Sequence, residues 1–191
     1  MFHEPPSLEV HITQLAAKSF AKPVYKDFVR AMNLKGTEFV LDFGSGAGGP
    51  ASYIAKKLQS GGGKLTCVDI SQKWMECIKK RLAGYKNVDF KLGHISNVDI
   101  KDNFYDVICI HFVIHDIPSE ERSEIVQQLV GKLKPGGIIF MREPINEIGI
   151  EELTALFEKK DLKQIYMKNV NVPLQGKAIE VKFNKQNQEL A

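Results

Sequence analysis

Arginine, cysteine and long apolar runs are all scarce in this 191-residue sequence, and each shortage argues against a class of protein. Only four of the 26 basic residues are arginine, and the net charge is +3. Because arginine supplies the paired hydrogen bonds that grip phosphate and guanine, we expect no nucleic-acid partner. No apolar run approaches the ~20 residues that span a bilayer, and no signal-peptide pattern is present, so we expect no membrane association.

The cysteines show no pairing pattern. Cys67, Cys77 and Cys109 make an odd number without a CxxC pair, and two of them lie in apolar, strand-like runs. This pattern favours buried, reduced thiols over a disulfide framework or a zinc site, and it predicts a cytoplasmic protein. The hydrophobic and charged fractions, 43% and 26%, are typical of a globular domain.

Short apolar runs alternate with amphipathic stretches of helical period along most of the chain. The first residues of the five clearest strand candidates are Phe39, Leu65, Val88, Tyr105 and Ile138. This alternation is typical of a parallel sheet with helices on both faces. Two further candidates, 164–167 and 177–183, are joined by a linker too short for a crossover helix, so we expect them to be antiparallel.

Local signals place several element boundaries. Ser71 is expected to cap a helix whose buried face carries Trp74, Ile78 and Leu82, and Ser119 is expected to begin another helix. Residues 134–137, Lys-Pro-Gly-Gly, predict a turn. At roughly 100–200 residues per domain the length allows one domain. We expect residues 1–191 to form a single domain with a helical cap over 1–38, a sheet region over 39–183 and a polar tail over 184–191.

A glycine-rich loop follows the first strand candidate and carries most of the functional information. Its sequence over residues 42–49 is Asp-Phe-Gly-Ser-Gly-Ala-Gly-Gly. Glycines let the backbone approach a ligand, and the next helix points its N–H groups at that ligand. The spacing of Gly44, Gly46 and Gly49 alone matches a dinucleotide fingerprint. Asp42, however, would repel a pyrophosphate and suits an ammonium or sulfonium group, so we infer a cationic ligand.

Asp69 ends the second strand candidate. An acidic residue at this place hydrogen-bonds the ribose hydroxyls of a nucleoside. In the alternative interpretation, Asp42 and Asp69 are simple helix caps and the glycines form simple tight turns. The two acids together, in a strand–loop–helix context, favour a nucleoside ligand with a positive charge.

These residues resemble the motifs of the class I S-adenosylmethionine-dependent methyltransferases. Residues 42–48 are similar to the first motif of the family, and Val68-Asp69-Ile70 is similar to its ribose-binding acid. Residues 104–108 and 133–137 are similar to the segments before its fourth and fifth strands. The resemblance implies S-adenosylmethionine as the cofactor. It also implies a Rossmann-like, doubly wound α/β fold whose seven-stranded sheet is mostly parallel with an antiparallel C-terminal strand, here with a short N-terminal helical cap.

The resemblance also implies a set of residues that bind the cofactor. They are Asp42, Gly44, Ser45, Gly46, Gly48, Asp69, Ile70, Trp74, Gly93, His94, Ile95, His111 and Phe112. Many relatives have Gly-Asp-small after the third strand, with the Asp on the adenine amino group, whereas this chain has Gly93-His94-Ile95. The His94 ring can accept from that amine or lie against the adenine. Ile70 and Ile95 are expected to be apolar walls for adenine, and Trp74 is either a third wall or core packing.

Methyl transfer needs alignment of the nucleophile with the methyl group more than it needs a dedicated acid or base. A base is required only where the acceptor loses a proton. His111 and His115, just after the fourth strand candidate, are the candidate catalytic residues, with Asp116 able to orient His115. In the alternative, His115 and Asp116 only cap a loop. Their spacing would suit a metal only on a helix, so we expect no metal.

Two further segments have open roles. Arg142 and Glu143 follow the fifth strand candidate and either touch the acceptor or pair with each other at the surface. The aromatic and proline residues of the cap either cover the methyl group as a lid or pack the cap on the sheet. They are Phe20, Pro23, Tyr25 and Phe28.

We therefore expect a methyltransferase that acts on a small molecule. The chain lacks a basic groove and the Asn/Asp-Pro-Pro-aromatic loop of many relatives that methylate bases or glutamine amides, and the predicted sheet leaves room only for a small cap. The alternatives are a protein or RNA methyltransferase that works with a partner subunit and a non-catalytic S-adenosylmethionine-binding protein. The acceptor atom and the oligomeric state stay open.

Overall fold

The computed structural model describes residues 4–18, 21–173 and 175–186, and it contains two compact units, Met1–Val98 and Asp99–Ala191. The elements of the first unit are α1 (Ser7–Lys18), α2 (Lys22–Met32), β1 (Phe39–Phe43), α3 (Gly49–Gln59), β2 (Lys64–Asp69), α4 (Gln72–Arg81) and β3 (Val88–Leu92). Those of the second are β4 (Tyr105–His111), a 3-10 turn (Ile114–Asp116), α5 (Ser119–Lys132), β5 (Leu133–Pro144), α6 (Ile150–Glu158), β6 (Leu162–Val172) and β7 (Gly176–Lys185).

The strands make a seven-stranded sheet in the order β3-β2-β1-β4-β5-β7-β6. β2 is parallel to β1 and to β3, and β4 is parallel to β5. β7 is antiparallel to both β5 and β6. The predicted Rossmann-like α/β fold, mostly parallel with an antiparallel C-terminal strand, is confirmed. The division into a single domain over residues 1–191 stays a prediction.

The core of the first unit forms where apolar strands are covered by amphipathic helices. Every residue of β2 after Lys64 is buried, as expected for a parallel strand covered on both faces. Ser71 caps α4 as predicted, because its Oγ accepts a hydrogen bond from Trp74 N. The buried side chains of this segment are those of Met75, Ile78 and Leu82. Trp74, four positions before Ile78, lies at the spacing of that face but is only half-buried, so the predicted burial of this side chain is wrong.

The N-terminal cap consists of α1 and α2, as the sequence predicts for a helical segment broken near Pro23. The second helix begins at Lys22, with Pro23 in its first turn, where the missing N–H of proline costs nothing. Phe28 of α2 is fully buried, so it packs in the core of the unit. Phe20 lies outside the described residues.

The C-terminal hairpin is longer than the sequence predicts. Its paired residues run from Leu162 with Lys185 to Val172 with Gly176, so most of the expected linker 168–176 is strand. Pairing satisfies the backbone hydrogen bonds of these polar residues, a gain that the composition of a single segment does not reveal. β6 is the last strand in the sheet order, and its Ile165 and Met167 are 51% and 40% exposed.

The predicted turn at 134–137 is a bulge inside β5. Tyr105 of β4 is opposite Leu133, yet Val107 is opposite Ile138, so the extra residues of β5 loop out between the two pairs. Gly136 adopts a φ of +76° there, a conformation that glycine enters without strain. β5 continues after the bulge from Ile138 to Pro144. The Lys-Pro-Gly-Gly signal therefore marks a local change of direction, but it does not end the strand.

Cys67 and Cys109 are buried, as predicted, and no disulfide joins the three cysteines, all of which lie among the described residues. In the ranges 4–18, 21–173 and 175–186, none of the helices has both the length and the apolar character that a membrane span requires. The cytoplasmic location stays a prediction.

Candidate functional site

The glycine loop after β1 is tied to the end of β2 by its backbone. Gly44 N and Ser45 N both donate to Val68 O, at 2.9 and 3.1 Å. Gly44 and Gly46 have φ values of +68° and +50°, in the region that residues with a Cβ rarely adopt. A Cβ at Gly46 would meet no atom within 4 Å, so the loop faces open space at this residue. A ligand can therefore approach the Gly46 backbone closely.

Asp69, the last residue of β2, is held by two backbone donors. Its Oδ2 accepts from Gly46 N at 2.7 Å, and its Oδ1 accepts from Ser71 N at 2.9 Å. Burial raises the pKa of Asp69, although these hydrogen bonds act in the opposite direction. The cap of α4 is Ser71 and not Asp69, because Ser71 Oγ accepts from Trp74 N at 3.1 Å. The simple-cap interpretation of Asp69 therefore does not describe its contacts.

Asp42 occupies a buried position near the end of β1, where 2% of its surface is exposed. Its backbone oxygen accepts from Ser45 Oγ at 2.8 Å, and its partner in register on β2 is Cys67. Burial and then the charge of Asp42 raise the pKa of the Cys67 thiol well above its ordinary value. Asp42 thus places a carboxyl group at the base of the glycine loop, where the sequence predicts a site for a cation.

The predicted walls of the adenine site differ in exposure. Ile70 is 39% exposed and Trp74 is half-buried, so both offer apolar surface to a ligand. Ile95 is 1% exposed and therefore belongs to the core. Gly93 has a φ of +138° and donates from its N–H to Asp69 O at 2.9 Å, which ties the 93–95 segment to the end of β2.

His94, which stands where many relatives have an aspartate, has one ring nitrogen in use. Its Nδ1 accepts from Ser96 N at 3.3 Å. In a neutral imidazole that accepts at Nδ1, the proton is on Nε2, which is then a donor. Of the two predicted roles for His94, lying against the adenine ring agrees with this hydrogen bond. Accepting from the exocyclic amine would require the bond to Ser96 to break.

Tyr25 of α2 contacts the glycine loop at its last residue. A Cβ at Gly49 would lie 2.5 Å from Cζ of the Tyr25 ring, so this glycine makes room for the cap helix. A Cβ at Gly48 would lie 2.7 Å from Cγ1 of Ile78, and the φ of Gly48 is +73°. The final glycines of the motif thus serve packing of α2 and α4. The fingerprint spacing alone does not distinguish this role from ligand binding.

His111 and Phe112, at the end of β4, have unusual local properties. Burial and the charge of Arg142 lower the pKa of His111 to about 3, so this imidazole is neutral at physiological pH. Phe112 has a φ of +58°, which is uncommon for a bulky side chain and costs on the order of 1–3 kcal/mol. Its ring centroid lies 4.5 Å from that of His111 and 6.4 Å from that of His115. Such strained positions cluster at functional sites.

His115 is held by the buried carboxylate of Glu143. Its Nδ1 lies 2.7 Å from Glu143 Oε2, and the other carboxylate oxygen accepts from Val113 N and Ile114 N, both at 2.9 Å. The Glu143 side chain is 0% exposed, whereas that of His115 is 17% exposed. Burial lowers the pKa of His115, but the hydrogen bond and charge of Glu143 outweigh it and raise that pKa above its ordinary value. The arrangement fixes the ring with Nε2 away from Glu143.

One prediction about this region is corrected, and another is made more specific. Arg142 and Glu143 do not pair with each other at the surface: both are buried, and Arg142 Nη2 donates to Glu180 Oε2. Alternation along β5 sends neighbouring side chains to opposite faces of the sheet, so adjacent residues find different partners. Asp116 contacts the ring of His115 as predicted, but Glu143 is the partner of Nδ1. Asp116 Oδ1 lies 3.4 Å from Nε2, so it faces the opposite side of the ring.

The first unit brings together the loop glycines, Asp42, Asp69 and the 93–95 segment, and the second unit brings together His111, Phe112, His115 and Glu143. Sequence reasoning missed the contact of Glu143 with His115, although His115 follows β4 and Glu143 lies near the C-terminal end of the neighbouring parallel strand β5. Over residues 4–18, 21–173 and 175–186, no group of three or more His, Cys, Asp or Glu side chains has a geometry suited to a metal.

Comparisons with known proteins agree with this geometry. The family model described as "Methyltransferase domain" matches residues 40–137. The chain is 25% identical to the carboxy-S-adenosyl-L-methionine synthase of Aeromonas salmonicida over 143 residues, which cover 68% of this chain and 58% of that protein. It is 25% identical to the demethylmenaquinone methyltransferase of Lactobacillus johnsonii over 141 residues, 69% of this chain and 57% of that one. The chain thus spans somewhat more than half the length of these relatives.

A solved structure shows the same fold over most of the chain. It is the N-methyltransferase NodS from Bradyrhizobium japonicum in complex with S-adenosyl-L-homocysteine, with a TM-score of 0.75 and 15% identity over 90% of this chain and 89% of that one. The family model covers more than half of the sequence, including the glycine loop and both aspartates. The resemblance inferred from the motifs is confirmed, and the chain belongs to the methyltransferase-domain family.

Proposed function

We propose that this chain uses S-adenosylmethionine to methylate a small-molecule acceptor. The observation that carries the proposal is the buried Asp69 carboxylate, held 2.7 Å from Gly46 N beside a backbone that faces open space. Family membership and the S-adenosyl-L-homocysteine bound to NodS support this cofactor. The negative charge of Asp42 suits its sulfonium and ammonium groups better than it suits a pyrophosphate.

The residues present fit this cofactor. Asp69 uses one lone pair on each carboxylate oxygen for Gly46 N and Ser71 N, which leaves acceptor capacity on both oxygens for two ribose hydroxyls. Ile70 and Trp74 offer exposed apolar surface for an adenine ring. When bound, the cofactor supplies a methyl group on a positively charged sulfur. The part of the protein is then to hold the donor, align the acceptor and exclude water.

His115 is the residue of the second unit best suited to receive a proton from the acceptor. Glu143 engages Nδ1 at 2.7 Å, so the lone pair of the neutral ring is on Nε2. For a hydroxyl acceptor, Nε2 of His115 would take up the O–H proton, and the acceptor oxygen would receive the methyl group that the cofactor supplies. His111 is a poor base, because an imidazole with a pKa of about 3 binds a proton only weakly at neutral pH.

The small-molecule acceptor rests on two observations. The two relatives are named as a carboxy-S-adenosyl-L-methionine synthase and a demethylmenaquinone methyltransferase, and both names refer to small molecules. The few arginines and the net charge of +3 argue against a polyanionic acceptor. The alternative is an enzyme that methylates a protein or RNA presented by a partner subunit.

Thermal unfolding with and without ligand tests the cofactor. S-adenosylmethionine and S-adenosylhomocysteine should each stabilise the protein, by ~2.7 kcal/mol at 100 times the dissociation constant, whereas NAD should not. Asp69→Asn should weaken binding about 10- to 100-fold, because a charged acceptor is lost. Asp89→Asn, the same change at an exposed residue of β3, is the matched control and should bind normally. Stabilisation by NAD alone would refute the proposal.

Turnover separates the enzyme from a non-catalytic binding protein. The wild-type protein, screened with small hydroxyl, amine and thiol acceptors, should release S-adenosylhomocysteine. His115→Asn should bind the cofactor as the wild type does and lose turnover about 100- to 10,000-fold on an acceptor that must be deprotonated. Normal turnover by this variant would remove His115 from the base role. Binding without product on any acceptor would favour the non-catalytic alternative.

A further inference from the structure

The residues that precede α1 hold the start of α4, although they are far away in the sequence. Glu4 Oε2 accepts from Ser71 Oγ at 2.7 Å, and Glu4 Oε1 accepts from Gln72 N at 2.7 Å. Lys73 Nζ donates to Pro5 O at 2.8 Å, and Pro5 is buried. One carboxylate and one lysine thus fasten the N-terminal segment to the three residues that follow Asp69 and Ile70.

Ser71 connects this contact to the predicted ribose site. It is fully buried, its Oγ–H donates to Glu4, and its N–H donates to Asp69 Oδ1 at 2.9 Å. The other oxygen of Asp69 accepts from Gly46 N at 2.7 Å. A continuous series of hydrogen bonds therefore runs from Glu4 through Ser71 and Asp69 to the glycine loop.

Glu4 and Asp69, the two acidic residues of this series, influence each other's ionisation. The hydrogen bond from Ser71, with Gln72 and Lys73 contributing, lowers the pKa of Glu4 in spite of some desolvation, so it is ionised at neutral pH. Burial raises the pKa of Asp69, and the nearby charge of Glu4 adds to that rise. Two carboxylates of like charge are thus kept close together, and the donors Ser71, Gln72 and Lys73 offset their repulsion.

We propose that Glu4 is a positioning residue for the cofactor: through Ser71 it fixes the Asp69 carboxylate in the orientation that receives the ribose hydroxyls. The inference rests on the proposed function. Ser71 Oγ accepts from Trp74 N, and Glu4 contributes a second capping contact by accepting from Gln72 N at the first residue of α4. Beyond this contact, Glu4 gives the Ser71 hydroxyl a partner, so that the loop between β2 and α4 has a single arrangement before the ligand arrives.

The affinity for S-adenosylhomocysteine tests this role directly. Glu4→Ala should weaken binding about three- to tenfold, as expected for the loss of a cap-like contact, and Glu4→Gln, which retains one acceptor, should lie between it and the wild type. Glu76→Gln is the matched control, because Glu76 is exposed on the same helix and its carboxylate accepts from the side-chain amide of Gln72, not from Ser71 or from the backbone of Gln72. Trp74 is the sole tryptophan, so its fluorescence reports the first turn of α4 during the titration.

A double-mutant cycle distinguishes positioning of Asp69 from general support of the fold. In the Asp69→Asn background, Glu4→Ala should have at most a twofold effect on S-adenosylhomocysteine affinity, since the group that it positions is absent. The same three- to tenfold loss in both backgrounds, or no loss in either, would overturn the inference. If the wild-type protein does not bind S-adenosylhomocysteine, the proposed function fails instead, and the two failures are distinguishable.

Discussion

At the scale of single residues, the two histidines after β4 have opposite electrostatic surroundings. His111 faces the positive charge of Arg142, and burial together with that charge lowers its pKa to about 3. His115 faces the negative charges of Glu143, Asp116 and Glu147, which raise its pKa. Four positions in the sequence thus separate an imidazole whose pKa is lowered from one whose pKa is raised. Only the second can carry a proton during catalysis.

The raised pKa of His115 predicts a pH-dependent stability. A group whose pKa is higher in the folded state stabilises the protein below its unfolded pKa, and this contribution is lost as the pH rises through the folded value. The free energy of unfolding should therefore decrease as the pH rises above about 6.5, the ordinary value for histidine. Urea unfolding of the wild type and of His115→Asn, measured across this interval, checks the prediction. The variant should lack this part of the decrease, and equal slopes would contradict it.

Single residues also show where the sequence stops being informative. The motif that contains Asp42, Asp69 and the loop glycines pointed to one place in the fold, and Asp69 Oδ2 accepts from Gly46 N there, while the ligand of these residues stays a prediction. Glu143 lies 28 positions from His115, and Glu4 lies 67 positions from Ser71. No local pattern marks such pairs, because their contact depends on how strands and helices are placed next to each other. An Asp or Glu in the sequence does not itself reveal whether its side chain faces solvent or binds a buried partner.

At the scale of elements, α2 is coupled to the glycine loop by the packing of Tyr25 on Gly49. The half-buried ring of Tyr25 rests where a side chain at position 49 would be, and burial raises the pKa of its hydroxyl. The glycine loop therefore faces open space at Gly46, whereas Gly49, the first residue of α3, packs against the cap helix α2. A change in how α2 packs will reach the loop through this contact.

Gly49→Ala should destabilise the protein by about 1–3 kcal/mol, because a methyl group 2.5 Å from the Tyr25 ring forces the ring or α2 to move. Chemical denaturation measures the effect. Adding Tyr25→Ala should remove most of the penalty of the alanine at position 49, since the clash disappears.

Gly131→Ala in α5 is the matched control for this prediction. A Cβ at Gly131 would meet no atom within 4 Å, so alanine there should stabilise the helix by roughly 0.5–1 kcal/mol. Equal effects of the two alanine substitutions would mean that packing against Tyr25 does not explain Gly49.

Element types were predictable from the sequence, whereas several lengths were not. Period and turn signals gave the strands, the helices and the antiparallel C-terminal pair. They failed for β6, which extends to Val172, and for β5, which continues through its bulge at Gly136. In both cases hydrogen bonds to the neighbouring strand keep polar or glycine-rich residues extended. This stabilisation depends on the partner strand, so it cannot be read from the sequence of the segment alone.

At the scale of the whole molecule, the few arginines are largely committed to carboxylates. Arg30 Nη1 lies 3.1 Å from Asp27, Arg122 Nη1 lies 2.6 Å from Glu152, and Arg142 is buried with Glu180. Arg122 also donates from Nη2 to His115 O at 3.1 Å, so it supports the 3-10 turn that carries His115. Three of the four arginines thus already pair with carboxylates, so few guanidinium groups are available to bind phosphate.

This charge distribution predicts weak binding to nucleic acid. At 150 mM salt, fluorescence anisotropy with a labelled single-stranded RNA should give a dissociation constant weaker than about 10⁻⁴ M, the weak end of non-specific binding. The affinity should be equally weak with S-adenosylhomocysteine present. A micromolar constant that falls steeply with salt would contradict the prediction and would revive an RNA acceptor.

The edge of the sheet has a consequence for how the protein behaves at high concentration. β6 ends the strand order, is 11 residues long and exposes Ile165 and Met167, which are the attributes of a strand prone to intermolecular pairing and aggregation. Lys163 and Lys168 are exposed on either side of that apolar pair. The positive charges of Lys163 and Lys168 would repel the β6 edge of a second copy of the chain. We therefore expect these lysines to reduce aggregation at high protein concentration.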